Sequence, residues 1–217
     1  MGGAAAKKSA WTSVVAAVLL GLMWVVFESG LFDAQGSAPA GPAAAALEEL
    51  RVAPAGSMDG YSRERFEHWT AQPRAGKNCN TREAVLLRDG VDVRTNNACE
   101  AVSGTWTSAY TGQRITDASK LDIDHVVPLA NAWRSGANTW DDQRREQFAN
   151  DMQLPQLVAV DAGSNRSKGD QDPSQWRPDR TRWCDYATDW ITVKRAYDLT
   201  VTEAEKAALR DMLATCG

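Results

Sequence analysis

Histidine is nearly absent: the chain of 217 residues has two, His68 and His125. That scarcity excludes His-rich zinc sites and the H-E-x-x-H pattern of zinc proteases. There is no G-x-S-x-G, which removes the nucleophile-elbow hydrolases. Neither a Walker loop nor a G-x-G-x-x-G occurs, so the common nucleotide cradles are missing too. No C-x-x-C is present, which leaves a structural zinc site without suitably spaced ligands. Positive charge is also short: 24 Lys and Arg against 28 Asp and Glu leave a formal net charge of −4. Duplex-DNA binders are usually basic, because neutralising phosphates releases counterions. Any nucleic-acid role must therefore rest on a local site. What is there is an ordinary globular composition, 43% hydrophobic, enough for one domain with a real core. The nine Trp residues are assigned chiefly to that core.

The N-terminus bears on the compartment. Lys7 and Lys8 precede an uncharged run from Ser9 to Phe27, which Glu28 closes. The run is long enough to span a bilayer as a helix. It equally fits a signal peptide with a basic start and an apolar centre, with small-x-small sites at Ala34-Gln35-Gly36 and Ala38-Pro39-Ala40. Residues 1–28 are thus a cleaved signal peptide or an N-terminal signal anchor, and both stay open. Either way the positive-inside rule puts the rest of the chain outside, secreted or anchored to the outer face of the cytoplasmic membrane. An uncleaved segment would make the membrane a partner; no protein partner is evident. Residues 29–50 are rich in Ala, Gly and Pro and are expected to be linker, with a short helix around Leu47–Arg51, leaving 51–217 as the folded domain. Four cysteines follow: Cys79, Cys99, Cys184 and Cys216. An even count in an exported chain points to disulfides. Of the three pairings, Cys79–Cys99 with Cys184–Cys216 is favoured, because each closes a compact local unit.

Within the domain, Phe66 and Trp69 stand three apart, which suits a small amphipathic helix over Ser62–Trp69. Thr81–Arg88 reads as a helix capped by Asn80 and ended by Gly90. Val91–Thr107 reads as short strands with turns at Asn96-Asn97 and Ser103-Gly104. Leu121–Val127 alternates apolar and polar residues, a strand that Pro128 stops. Leu129–Arg134 and Asp141–Ala149 follow as helices, and Leu157–Val160 is a short apolar strand. Gly163–Gly169 is a polar turn opening a brief helix. Helices over Arg182–Tyr197 and Thr202–Leu213 finish the domain, the second with a Thr202-x-x-Glu205 capping box.

By elimination, catalysis that uses imidazole falls to His125. It directly follows Asp124 at a strand end, where neighbouring side chains point to opposite faces. A carboxylate and an imidazole so placed can divide the work, one holding a divalent cation, the other taking a proton from water. A neutral histidine suits the second task. The bland reading of the pair is structural. Forty residues on, Asn165 is followed by Arg166, Lys168 and Asp170. The Asn165 oxygen can complete a metal site and Lys168 can meet a phosphate; the plain alternative is a polar surface turn. His68 is expected to be structural or surface. Arg63, Arg65, Arg82, Arg88 and Arg94 read as scattered surface arginines before they read as a nucleic-acid channel.

Taken in order, these pieces resemble the HNH, or His-Me finger, nucleases. Asp124-His125-Val126-Val127-Pro128 is similar to the first strand of that motif, Gln156–Val160 to its second, and Asn165–Asp170 to its helix. The closer resemblance is to the C-terminal HNH domain of GmrSD-type restriction enzymes, and to small exported actinobacterial proteins built around it. Ala132-Trp133-x-Ser135-Gly136-Ala137, Arg145-x-x-Phe148-Ala149-Asn150-Asp151 and Lys168-Gly169-Asp170-x-Asp172-Pro173-x-x-Trp176 carry it, as do the four cysteines, over roughly residues 51–216. The resemblance implies an α+β fold: a ββα-metal motif, core 121–176, embedded in a mainly helical domain with two disulfides. It implies Asp124 and Asn165 as ligands of one divalent cation, Mg²⁺ or Mn²⁺ foremost, with Zn²⁺ or Ni²⁺ in relatives. It implies His125 as the water-activating base; on the endonuclease reading, Arg166 and Lys168 would hold flanking phosphates. The motif's central Asn falls nine residues before Asn165, where this chain has Gln156. Gln is an amide with one more methylene and can still hydrogen-bond; Asn150 is a second candidate for orienting the base.

The expected function is an exported, metal-dependent endonuclease that hydrolyses phosphodiester bonds of DNA or RNA, with the metal stabilising the pentacoordinate phosphorane and the departing 3′ oxygen. Two other readings stand beside it. One is a catalytically weak or inactive cell-envelope binding module on the same scaffold. The other is a metal-assisted phosphodiesterase acting on small molecules.

Overall fold

The computed structural model describes residues 41–217. The Ser9–Phe27 run lies outside the described residues; among those described, no helix is long and apolar enough to cross a membrane. The fold is α+β. Helix α1 spans Pro42–Glu49, where linker was expected. Its alanines favour helix, Pro42 suits the first turn, and Leu47 and Leu50 are buried. The helix packs on the two C-terminal helices described below.

The stretch between Arg51 and Asn80 is held by side chains rather than by regular structure. The amphipathic helix expected over Ser62–Trp69 is only a 3₁₀ turn, Arg63–Arg65. Phe66 is fully buried in the main core, Arg145 Nε donates to the Arg65 carbonyl at 3.2 Å, and Trp69 turns to φ 62°. Tertiary contacts thus override the local period. Helix α2, Thr81–Asp89, begins as expected: Asn80 accepts from the Glu83 N–H, closing one of the open donors of a helix start.

Strands β1 (Val91–Thr95), β2 (Ala101–Thr107) and β3 (Arg114–Ile115) make an antiparallel sheet in the order β1-β2-β3. The turn expected at Ser103-Gly104 is absent, since both residues continue β2. Gly104 is there because the Trp106 ring crosses it: a Cβ would lie 2.6 Å from that ring. A second sheet pairs β4 (Leu121–His125) antiparallel with β5 (Leu157–Asp161), Asp124 facing Val158 and His125 facing Leu157. Helices α3 (Leu129–Arg134) and α4 (Asp142–Ala149) connect the two strands. Helix α5, Ala162–Lys168, follows β5 at once, capped by Asp161. Helices α6 (Trp183–Ala196) and α7 (Glu203–Leu213) complete the domain. Thr202 and Glu205 form the expected capping box.

The alternation in β4 decides what faces what. Leu121 and Ile123 join Val85, Leu86, Trp106, Leu157 and Ala159 in a small core between α2 and the sheets. Asp122 and Asp124 therefore share the other face. A larger core gathers α1, α3, α4, α6 and α7 around Phe66, Val127, Phe148 and Trp190. Both favoured disulfides are present: Cys79–Cys99 ties the approach to α2 to the β1–β2 turn, and Cys184–Cys216 ties the start of α6 to the C-terminus.

Candidate active site

The end of β4 brings the site together. The His125 side chain is 3% exposed, and its Nε2 lies 2.9 Å from the Ala149 carbonyl oxygen at the end of α4. A carbonyl only accepts, so Nε2 carries the hydrogen and the neutral ring keeps Nδ1 as its free lone pair. Burial lowers the imidazole pKa to about 4, opposed by the Ala149 carbonyl and the Asp124 charge and reinforced by Arg63 and His68. At neutral pH the ring is therefore a neutral base.

Two amides hold the surroundings of that ring. Gln156, fully buried, accepts from the Val127 N–H at 3.1 Å through Oε1 and donates to the Val127 carbonyl at 2.9 Å through Nε2. Its own carbonyl takes the Val126 N–H at 2.7 Å. Gln156 thus grips the chain just after His125, without touching the ring. Asn150 follows the Ala149 carbonyl on which the ring rests. Its Oδ1 accepts from the Thr70 N–H and the Thr81 hydroxyl, and its Nδ2 donates to the Glu67 and Glu146 carbonyls. The amide work expected of one residue is divided between these two.

On the opposite face of β4, Asp124 Oδ2 accepts from the Tyr110 hydroxyl and from Lys168 Nζ, each at 2.6 Å. Lys168 Nζ also donates to the His125 carbonyl at 2.9 Å. This corrects the expectation that Lys168 meets a phosphate: the side chain is wholly buried, and its ammonium is the partner of Asp124. Burial pulls the Lys168 pKa down while Asp124 pulls it back. Arg166, two residues before Lys168 on α5 and so off that inward face, is exposed.

Asn165 reaches β4 two residues short of Asp124. Its Nδ2 donates to Asp122 Oδ2 at 3.0 Å. Asp122 and Asp124 share a face, so the Asn165 amide lies on the Asp124 side of the strand. Among the described residues, Asp124 Oδ1 takes no protein donor, and neither does the Asn165 side-chain oxygen. These two hard oxygen donors fit a magnesium- or manganese-like ion that keeps most of its waters. Among the described residues there is no group of three or more His, Cys, Asp and Glu set to hold a metal.

The other side of His125 carries residues that sequence reasoning placed elsewhere. Trp69 stacks on the imidazole, ring centroids 5.7 Å apart and planes 29° apart. His68, expected to be structural or surface, lies with its ring 6.5 Å from that of His125. Residues 67–72 are fastened there by Asn150, by Thr81 N–H donating to the Thr70 carbonyl, and by a bridge between Ala71 and Asn80. No local pattern pointed to this limb or to Tyr110. Asp122 was findable, because it sits two residues before Asp124 in an alternating strand.

An antiparallel pair followed at once by a helix, with Asp-His ending the first strand and an Asn inside the helix, defines the ββα class of site. Comparison with known proteins agrees. The family model described as the C-terminal domain of GmrSD restriction endonucleases matches residues 81–212, and the chain belongs to that family. It is also 52% identical over 171 residues to an uncharacterized secreted protein of Arthroderma benhamiae, covering 78% of this chain and 82% of the relative. That relative is fungal, and the expected likeness to exported actinobacterial proteins rests on the sequence motifs alone. No solved structure matches.

Proposed function

We propose that this protein is an exported endonuclease that hydrolyses phosphodiester bonds of nucleic acid, DNA foremost, with His125 as the base that activates water. One observation carries the reading: the His125 ring is pinned through Nε2 to the Ala149 carbonyl, which leaves a neutral Nδ1 free on the residue that follows Asp124. General-base assistance by a histidine held this way contributes about 10²–10⁴ in rate. Asp124 and Asn165 would hold one divalent ion, Mg²⁺ or Mn²⁺, which supplies positive charge to the scissile phosphate when bound. Gln156 and Asn150 position the base, and Lys168 positions Asp124. Arg166, exposed on α5 beside Asn165, is the cation available to a flanking phosphate. Export is supported by the apolar run behind Lys7 and Lys8, by the two disulfides, and by the secreted relative.

The Lys168–Asp124 pair favours a second reading. An ammonium already neutralises the ligand carboxylate, as it would in a binding module that had given up its metal. A plasmid-nicking assay on oxidised protein, with Mg²⁺, Mn²⁺ or EDTA and with His125→Ala in parallel, separates the two. Metal-dependent nicking that falls about 100-fold or more in the variant supports the nuclease. Folded wild-type protein that nicks under neither metal refutes it and leaves the binding module.

A further inference from the structure

We propose that His68 is a second catalytic imidazole of this site, the proton donor to the oxygen that leaves phosphorus when His125 activates water. The proposal rests on the nuclease reading above and adds a residue outside the span 81–212 that the family model matches.

The two histidines are prepared in complementary ways. His125 donates from Nε2 to the Ala149 carbonyl and keeps Nδ1 free. His68 lies with Nδ1 2.8 Å from the Phe66 carbonyl oxygen, donates there, and keeps Nε2 free of protein partners among the described residues. Their centroids are 6.5 Å apart, so two imidazoles can reach one phosphoryl group from different sides. His68 is half-buried rather than sealed, which leaves Nε2 open to a ligand.

The backbone is bent to achieve this. Trp69 holds φ at 62°, a conformation that is an outlier for a bulky residue and persists only where the surroundings over-determine it. The result is that two consecutive side chains both lie against His125: Trp69 by stacking on it, His68 edge-on at 76°. A stack alone would need no such bend in company with a histidine. Asn150, Thr81 and the Ala71–Asn80 bridge hold the limb in that shape. Arg63, in the 3₁₀ turn just before the limb, adds a positive charge near enough to act on the His125 ring, as a site for phosphate requires.

The step balances without a further reactant. Water oxygen forms a bond to phosphorus and its proton passes to His125 Nδ1. The bond from phosphorus to the leaving oxygen breaks, and that oxygen takes the proton from Nε2 of protonated His68. His125 has gained one proton and His68 has lost one; exchange with solvent resets both.

A leaving atom that needs no proton provides the test. The cleavage position is mapped on an oligonucleotide, and the same oligonucleotide is made with bridging sulfur as the leaving atom there. Wild type, His68→Asn and His125→Ala are compared on both. The Asn amide can still donate to the Phe66 carbonyl, so His68→Asn preserves the structural bond, and thermal melting checks the fold. The expected result is a loss of about 100-fold or more for His68→Asn on the natural linkage, with less than a tenth of that loss on the sulfur linkage. His125→Ala should lose heavily on both. Equal losses for His68→Asn on the two linkages, or none on the natural one, would overturn the proposal while leaving the nuclease intact. A wild type that cuts neither linkage brings down the nuclease reading itself.

Discussion

Replacing Gln156 by Met keeps the volume and removes both hydrogen bonds to Val127, so it isolates what the amide does. The Val127 N–H and carbonyl are buried, at 3.1 and 2.9 Å from the amide, and water does not reach them. Each orphaned backbone group costs about 1–3 kcal/mol, and a shape-matched apolar side chain adds little to that. The expected loss is therefore about 2–6 kcal/mol for Gln156→Met and somewhat more for Gln156→Ala, which also opens a cavity. For a domain of this size that is a fall of roughly 4–24 °C in Tm. Melting followed by circular dichroism, with disulfides intact, measures it. Nicking rates taken well below both transitions then separate positioning from stability: if Gln156 holds His125 in place, the rate falls although the protein is folded. A Gln156→Met protein within about 1 kcal/mol of wild type and with its rate unchanged would refute the clamp.

Three further outcomes follow from the same structure. Burial, helped by Asp185 and opposed by Arg182, raises the Asp189 pKa from 3.8 to about 7. Its charge therefore opposes folding: the penalty is absent below about pH 4, grows as pH rises from about 4 to about 7, and is constant above. Asp189→Asn should thus gain about 2–4 kcal/mol over wild type at pH 8 and nothing at pH 4, read from urea midpoints; equal gains at both pH values would contradict it. Lys168→Met leaves Asp124 without its buried cation and should cost about 3–5 kcal/mol by chemical denaturation; a cost below about 1 kcal/mol would show that the pair is not closed in solution. Cys184→Ser with Cys216→Ser releases a crosslink spanning 32 residues, worth about 3–4 kcal/mol by loop closure; an unchanged Tm would mean that α6 and α7 fix the C-terminus unaided.

The parts visible in sequence were those set by local chemistry. The alternation of Leu121–His125, the Asn80 and Thr202 caps and the Pro128 stop each act within a few residues, and each appears where expected. Asp124, His125 and Asn165 could be named because their order along the chain is a pattern. The parts that stayed hidden depend on partners far away. Lys168 sits in a polar Ser-Lys-Gly-Asp stretch that reads as surface, and only Asp124 and the His125 carbonyl, more than forty residues off, draw it inside. Trp69 and Phe66 look like one helix face, yet Phe66 goes to the main core while Trp69 goes to His125. The alanines of Pro42–Glu49 look like linker because a single leucine, Leu47, makes the anchor within the helix.

The Cys79–Cys99 crosslink has a bearing on the cell that makes the protein. Cys79 adjoins Asn80 and Thr81, the residues on which the limb of His68 and Trp69 is hung. A thiol pair kept reduced in the cytoplasm would leave that mooring untied, and with it the cover over His125. On the nuclease reading, a chain so built would cut poorly until it is oxidised, a safety catch released by address rather than by an inhibitor.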